Sequence, residues 1–366
     1  MNVCIIGDGL TSLSLAKNLV NKKINVQIYQ KKKTNNPLSN RTIGITKKNL
    51  EFFNKEILRL PKKNIWEIKK IEIYSEKIKK NQILNFEQNK NNLFYMIKNN
   101  EIYKLLNDKL LKSKFFKKKL IKDNDFYKKL LKINKYDLII NCESQNYLSN
   151  KYFSNKIEKN YNNHAYTTIL EHEKLENNTA IQVFTKAGPI AFLPISNVKT
   201  SVVCSLELKN IKYSDSEIYE LINKNNPNYK IKKISKLSNF KLKSSNLRNY
   251  YHKNVLAFGD LLHKIHPLAG QGFNMTIRDI NILSEIIQNK INLGIQLDAS
   301  VLEEFEKKTK HINFIFASGI DFIYEFFSFN KKIKDQSLNK ILQFIGKNKF
   351  ITNTFIKIAD EGVNIK

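Results

Sequence analysis

Two glycine-bearing segments of this 366-residue chain place backbone and polar groups at spacings that suit anion chemistry. The first is Gly7-Asp8-Gly9-Leu10-Thr11-Ser12. Gly7 suits a tight turn, and Gly9 has no side chain to keep a diphosphate from its backbone. A helix opening near Leu10 would add free N–H groups and a favourable dipole. A glycine pair alone also fits an ordinary strand-to-helix turn, but the strand-turn-helix setting favours a nucleotide. Ser12 stands where the dinucleotide pattern has a third glycine, and it is small enough to let the helix lie close to the strand. Gln30, at the end of the next strand, stands where an acid would hold ribose hydroxyls. A neutral acceptor binds a hydroxyl less strongly than a carboxylate does. Asp8 must point away from a diphosphate or weaken its binding.

The second segment runs from Gly259 to Asn274. Asp260 follows an apolar strand, and its carboxylate can accept hydrogen bonds from ligand hydroxyls. The plainer reading, a helix N-cap, fits less well because the glycine-rich loop continues. Pro267, Gly270 and Gly272, with Gln271 among them, shape a loop that opens a helix near Asn274, with Phe273 at its start. Such a loop offers N–H groups to a developing negative charge. His263 and His266 are three residues apart, but Pro267 argues for a loop and no carboxylate or cysteine completes a ligand set, so no metal site is expected. His263 reads as a packed structural residue.

The second segment resembles the Gly-Asp-x-x-His…Pro-x-x-Gly-Gln-Gly-x-Asn signature of the class A flavoprotein monooxygenases. Arg278-Asp279 continues the likeness. More narrowly, the chain is similar to the ubiquinone-biosynthesis hydroxylases of that class. Thr179-Ala180-Ile181-Gln182-Val183-Phe184-Thr185 and Gly188-Pro189-Ile190-Ala191-Phe192-Leu193-Pro194 resemble their substrate-domain strands. Arg41-Thr42-Ile43-Gly44-Ile45 and Phe94-Tyr95-Met96-Ile97-Lys98-Asn99 resemble weaker landmarks, so the likeness runs from Asn2 to about Leu283.

The resemblance implies one held FAD, a transient NAD(P)H donor and O2 as co-substrate. The reaction would be ring hydroxylation of a polyprenylated phenol through a flavin C4a-hydroperoxide. It implies that Gly7, Gly9, Leu10, Ser12, Gln30, Arg41, Asp260, Pro267, Gly270, Gln271, Gly272, Phe273 and Asn274 contact the cofactor. Asp260 would take the ribityl hydroxyls, and His266 and Pro267 would line the flavin's reactive face. Other ubiquinone-biosynthesis proteins are implied partners. Four positions depart from the family pattern: Ser12, Gln30, Asn100 in place of an arginine, and Glu143-Ser144 in place of an Asp-Gly pair. The adenosine side is therefore the altered one. Two other readings stay open: a non-catalytic or weakly flavinated scaffold member of a ubiquinone-biosynthesis complex, and a related flavin hydroxylase of another aromatic substrate.

The elements that must position these residues are legible in the periodicity. Asn2 to Ile6, Asn25 to Tyr29, Asp137 to Cys142 and Asn254 to Gly259 read as buried strands. The run Leu13, Leu15, Ala16, Leu19 and the segments Lys47 to Ile57, Tyr103 to Leu111, Ser216 to Ile222, Phe273 to Ile287 and Val301 to Phe329 read as helices. Trp66 to Ser75 reads as one strand, with Gln82 to Phe86 its partner. Between Ala165 and Leu208 the period changes to two, giving four consecutive antiparallel strands around a Gly188-Pro189 turn. Lys230 to Leu242 reads as a returning strand. Leu38 to Thr46 reads as loop and strand, Asn85 to Asn92 and Leu148 to Asn163 as loops. The expected fold is α/β: a Rossmann-like, p-hydroxybenzoate hydroxylase-like FAD-binding domain interleaved with an antiparallel-sheet substrate domain, plus C-terminal helices. The FAD-binding part takes 1–65, 93–150 and 246–290, the sheet 66–92 and 155–245, and the helical region 291–366.

A net charge of +30 has two accounts. Lysine can sit on solvated faces in a chain rich in Lys, Asn and Ile, or it can draw the protein to an anionic surface. The lysines are spread along the whole chain, which favours the first. No basic block interleaved with aromatics forms a nucleic-acid motif, so no nucleic-acid partner is expected. Cys4, Cys142 and Cys204 lie in apolar runs without metal spacing and read as buried thiols in a reducing compartment. Met1 leads almost directly into a strand, so no signal peptide is expected. No apolar run reaches transmembrane length. Phe314 to Phe329 comes nearest, interrupted by Asp321 and Glu325. That stripe reads as core, with Lys331, Lys332 and Lys334 keeping an interfacial role open. The expected location is cytoplasmic, with peripheral contact at the inner membrane the open variant.

Overall fold

The computed structural model describes residues 1–31, 41–75, 82–87, 92–121, 125–133, 135–207, 213–266 and 270–332. The chain opens with β1 (Asn2–Ile6), α1 (Leu10–Asn21), β2 (Asn25–Gln30), β3 (Thr42–Thr46) and α2 (Lys47–Phe52). There follow β4 (Trp66–Ile68), β5 (Lys70–Ser75), β6 (Gln82–Glu87), β7 (Phe94–Lys98), α3 (Asn99–Leu111), β8 (Phe116–Leu120), α4 (Phe126–Lys132), β9 (Leu138–Asn141) and α5 (Tyr147–Tyr152). The middle of the chain forms β10 (Lys156–His172), β11 (Thr179–Phe184), β12 (Pro189–Ser196), β13 (Lys199–Glu207), α6 (Asp215–Lys224), β14 (Ile231–Ile234) and β15 (Ser238–Leu247). It closes with β16 (Tyr251–His252), β17 (Val255–Ala257), β18 (His263–Lys264), α7 (Gln271–Asn292) and α8 (Ala299–Lys332).

A six-stranded sheet in the order β16-β17-β9-β1-β2-β8 carries the first glycine turn. Its central strands are parallel. Both faces are covered, which is why β1 and β9 are almost continuously apolar and buried. Leu13, Leu19, Ile102, Leu106, Ile280 and Leu283 join them in the main core. A nine-stranded sheet runs β18-β15-β10-β13-β12-β11-β5-β6, with β14 on β10. One face packs Leu170, Phe192, Val202 and Leu206 against Ile218 and Ile222 of α6. The N-terminus of α6 is held by a capping box between Ser214 and Glu217. The opposite face gives Ala180 and Ile195 to Ile68 and Met96 of the small sheet β3-β7-β4. That small sheet thus packs on the nine-stranded one, with Gly44 of β3 against Gly270 at the start of α7.

Several expectations change. Leu148 to Asn163 is not a loop: it forms α5 and the first half of β10. That half carries polar, exposed residues, so its strand state comes from pairing with β15 (Lys156 opposite Leu247) and not from an apolar pattern. Trp66 to Ser75 is two strands in two sheets, broken at Lys69, whose N–H donates to the Asn178 carbonyl. The four consecutive strands are antiparallel, but β10 pairs with β13 and not with β11. β11 instead runs parallel to β5. Lys230 to Leu242 splits into β14 and β15, the latter running on to Leu247. Asn85 continues β6, while residues 88–91 lie outside the described ones. The Lys47 to Ile57 helix ends in a π-helical turn from Phe53 to Ile57. α1, α3 and α7 begin two to four residues earlier than their apolar periodicity shows, because helix first turns are polar or glycine-rich here. Among the described residues, no helix is long and apolar enough to cross a membrane. Lys334, Leu208 and Leu38 lie outside the described residues.

The turn between β11 and β12 is sterically strict. Gly188 has φ +148°, and a Cβ there would stand 1.9 Å from the Ser205 carbonyl oxygen on β13. Gly188→Ala should therefore cost about 3 kcal/mol or more through overpacking and backbone strain. A thermal unfolding midpoint equal to that of the unaltered protein would contradict this packing.

Candidate functional site

The first glycine turn leaves β1 beside β2, with the Gly7 N–H donating to the Tyr29 carbonyl at 2.8 Å. Gly9 caps α1 with extended backbone, and nothing lies within 4 Å of where its Cβ would be. The first-turn N–H groups of α1, beginning at Leu10, have no intrahelical acceptors and open toward that space. Asp8 does turn away, as a diphosphate requires. Its carboxylate accepts from the Tyr103 hydroxyl at 3.1 Å and lies 3.7 Å from the Lys118 ammonium. Ser12 is buried against the turn, its Oγ 3.4 Å from where a Gly7 Cβ would stand. Gln30 Oε1 is buried with no hydrogen-bond partner among the described residues. An orphaned acceptor at this strand end suits a ribose hydroxyl.

Glu143 closes the same turn from β9. Its Cγ lies 3.1 Å from where a Gly7 Cβ would be. Burial raises its carboxyl above the usual range, against the opposing pull of Lys31. The strand end is organised by amides: Asn141 and Asn146 exchange side-chain hydrogen bonds, and Asn141 also donates to Ser149 Oγ at 2.9 Å. This network stands where the family pattern has the flexible Asp-Gly pair. Burial pushes the Cys142 and Cys204 thiols up to about 12 and raises Cys4 further still, so none is poised as a nucleophile.

The second segment meets the first at one contact. Gly259 has φ +65°, and a Cβ there would stand 2.6 Å from Thr11 Cγ2 on α1. Asp260 follows it in a short 3-10 turn with its side chain exposed, so the carboxylate is open to a ligand beside the α1 N-terminus. Gly270, at φ 63°, caps α7. Its Cβ position is 3.6 Å from the Gly44 backbone nitrogen, so β3 lies across the start of α7. Gln271 Oε1 is buried with no partner among the described residues, a second orphaned acceptor at a place where a ligand is expected. Gly272 follows in the first turn of α7, 3.9 Å from Ile265 by the same Cβ measure. Phe273 is half-buried, its ring 6.5 Å from that of Phe53. Arg41 is exposed, with its guanidinium 5.5 Å from the Phe240 ring centre.

Two expected contact residues, Asn274 and His266, do other work. Asn274 is 1% exposed, and its amide is a clamp. Its Oδ1 accepts from the Thr46 N–H (3.0 Å) and Asn49 Nδ2 (3.1 Å), while Nδ2 donates to the Gly44 carbonyl (3.0 Å). It fixes β3 to α7 rather than reaching outward. His263 Nε2 pairs with Asp279 Oδ2 at 2.5 Å, and Asn313 of α8 donates to Asp279 Oδ1 at 3.1 Å. That is the structural role expected of His263. His266 is also 1% exposed and packs edge-on against Tyr161, ring centres 4.9 Å apart. Its ring meets protein, not an open face, so the expectation that it lines the flavin's reactive side gives way to a supporting role. Pro267 lies outside the described residues. Among those residues, no group of three or more His, Cys, Asp or Glu is placed to hold a metal ion. Tyr161, Asp321 and the Thr42–Ser201 hydroxyl pair (2.9 Å) were not singled out by the sequence, because their partners are far away in the chain.

Residues 157–308 match the FAD binding domain family. The ubiquinone biosynthesis monooxygenase COQ6 of Dictyostelium discoideum is 29% identical over 189 residues, covering 42% of this chain and 38% of that protein. The 3-demethoxyubiquinol 3-hydroxylase of Escherichia coli is 31% identical over 158 residues, covering 41% of this chain and 40% of that protein. The chain thus spans less than half the length of either relative. Among solved structures, p-nitrophenol 4-monooxygenase PnpA from Pseudomonas putida superposes with a TM-score of 0.77 over 99% of this chain and 98% of its own, at 13% identity. HpxO of Klebsiella pneumoniae, solved with FAD and uric acid, gives a TM-score of 0.72 over 98% and 96% at 12% identity. This is the class A flavin-monooxygenase fold. In that fold the orphaned Gln30 and Gln271 oxygens, the open Gly9 cap and the exposed Asp260 fit FAD.

Two outcomes test this geometry. Gly259→Ala should destabilise the protein by roughly 3 kcal/mol, through the Thr11 clash and a left-handed backbone. Adding Thr11→Ser should recover only the steric part in thermal unfolding. His266 supplies a pH test, because burial lowers its imidazole to about 4. The unfolded chain takes up this proton near pH 6.5, before the folded one does. Stability should therefore fall by about 3 kcal/mol as pH drops from roughly 6.5 to 4, and this component should then level off. In urea unfolding at pH 7 and 4.5, His266→Gln should lack that part of the acid dependence. An identical pH dependence in both proteins would contradict the burial.

Proposed function

We propose that the chain is an FAD-dependent monooxygenase that hydroxylates the ring of a polyprenylated phenol in ubiquinone biosynthesis, using NAD(P)H and O2. The observation that carries this reading is the contact of Gly259 with Thr11, which sets the open Asp260 carboxylate beside the N-terminus of α1. One ligand can then touch both glycine segments, as a flavin dinucleotide would. The names of the two ubiquinone-biosynthesis relatives support the substrate class.

Bound flavin supplies the electron transfer and oxygen activation, while the protein binds, orients and shields. In this reading, Gly7, Gly9, Leu10 and Ser12 hold the diphosphate at the α1 N-terminus, and Gln30 takes a ribose hydroxyl. Asp260 accepts from the ribityl chain. The α7 N-terminus, from Gly270 to Phe273, offers N–H groups to negative charge on the pyrimidine side. Arg41 stands at the edge of the cofactor site. The face of the nine-stranded sheet that packs on the small sheet receives the phenol and excludes water. The FAD-binding part is assigned to 1–65, 93–150 and 246–290, and the substrate part to 66–92 and 155–245. A contact with the inner membrane, where a polyprenyl substrate resides, belongs to the same reading.

Purified protein should be yellow or become so with added FAD, and Asp260→Ala should lose most of the flavin absorbance while keeping its unfolding midpoint. Protein that stays colourless in excess FAD would overturn the catalytic reading and leave the scaffold reading standing. Flavin binding without NAD(P)H oxidation on any polyprenyl phenol would move the substrate to another aromatic.

A further inference from the structure

The second half of α8 has a role at the cofactor loop that the fold alone does not require. Ile265 and His266 stand before residues 267–269, which lie outside the described ones; Met275, Arg278 and Asp279 follow on α7. α8 touches both flanks. Phe316, Ala317 and Ile320 pack with Ile265 and Met275, and the Arg278 guanidinium stands 4.2 Å from the Phe316 ring centre. Asn313 reaches Asp279. The contact to His266 is indirect. Asp321 of α8 accepts the hydroxyl hydrogen of Tyr161 from β10, and the Tyr161 ring meets the His266 imidazole at an interplanar angle of 87°. Ser244 of β15 donates to the other Asp321 oxygen at 3.4 Å. One turn further along, Glu325 pairs with Lys159.

We infer that Tyr161 is a positioning residue: latched by Asp321, it holds His266 and thereby sets where the loop delivers the Gly270 cap of α7. The inference rests on the flavin-monooxygenase reading for its kinetic consequence, though not for the latch itself. Three features of the arrangement carry it. Tyr161 is 9% exposed, and its hydroxyl and its ring serve two different partners. An edge-to-face contact to a buried imidazole restricts the ring's tilt as well as its distance. A hydroxyl-to-carboxylate hydrogen bond is among the stronger side-chain bonds, so the tyrosine is itself held. A helix contributed by the C-terminal part of the chain thus packs on α7 directly and reaches His266, ahead of the α7 N-terminus, through Tyr161.

The test uses the full chain and four variants: Tyr161→Phe, Tyr161→Leu, Asp321→Asn and the Tyr161→Phe/Asp321→Asn double. Tyr161→Phe keeps the ring and loses the latch, so it remains informative if Tyr161→Leu fails to fold. The first measurement is the rate at which trypsin cuts the Lys264–Ile265 bond in flavin-free protein, followed by mass spectrometry. The second is kcat and KM for NAD(P)H oxidation by FAD-loaded protein. Tyr161→Phe and Asp321→Asn should each speed cleavage severalfold and lower kcat on the order of 10- to 100-fold with little change in KM, as expected for misplacement by a fraction of an ångström. The double variant should be no worse than Tyr161→Phe alone, because Asp321→Asn weakens the same bond that Tyr161→Phe removes. Unchanged cleavage and kcat in both single variants, or effects that simply add, would overturn the inference even if their unfolding midpoints fall. If the unaltered protein takes up no FAD, the functional reading fails, and the cleavage rates alone still decide the latch.

Discussion

The close approach of Gly259 to Thr11 is the constraint on which the site depends. A 2.6 Å gap to a would-be Cβ leaves room for no side chain at residue 259. It brings together the ends of β1 and β17, which are far apart in sequence but separated in the sheet only by β9. Once they are joined, the exposed Asp260 lies beside the open cap at Gly9. Their electrostatics combine backbone dipoles and the Asp260 carboxylate with the Asp8 and Glu143 carboxylates and the lysines beside them, Lys118 and Lys31.

Around that junction, buried polar side chains replace what a smaller loop could not do alone. Asn274 spends its amide on three partners from β3 and α2, locking the start of α7 to the small sheet. His263, Asp279 and Asn313 form a buried chain from β18 through α7 to α8. Removing one member of such a buried set leaves the others without compensation, which costs more than the bond itself contributes. The exposed Lys–Glu pairs along α8, such as Lys307–Glu303, contribute far less, in the range of about 0–1 kcal/mol each. The specificity of the architecture thus lies in a few interior amides and imidazoles. The many surface lysines are consistent with solvated faces.

The altered cofactor positions are also physically coherent. Glu143 sits against Gly7, and the strand end behind it is stiffened by Asn141, Asn146 and Ser149, where an Asp-Gly pair would leave freedom. Asp8, which alone would repel a diphosphate, is drawn off by Tyr103 and Lys118. These positions, where the chain departs from the family pattern, are thus held together by other side chains.

By itself the sequence determined the local units: β1, the glycine turn and α1; the buried β9 and β17; the α7 helix behind its glycine loop; and the alternating strands of the large sheet. Each is written in a short-range pattern of apolar spacing and turn residues, and the Gly259–Asn274 motif identified the cofactor class in the same local way. Only the tertiary structure decided which strands pair. The polar first half of β10 is a strand because β15 lies beside it, and Trp66 to Ser75 divides because two sheets claim its halves. It also decided that His266 and Asn274 support the loop from within, and that Tyr161 and Asp321, 160 residues apart, meet at it. Burial and long-range hydrogen bonding depend on what the folded chain brings alongside a residue, and no periodicity near that residue records it.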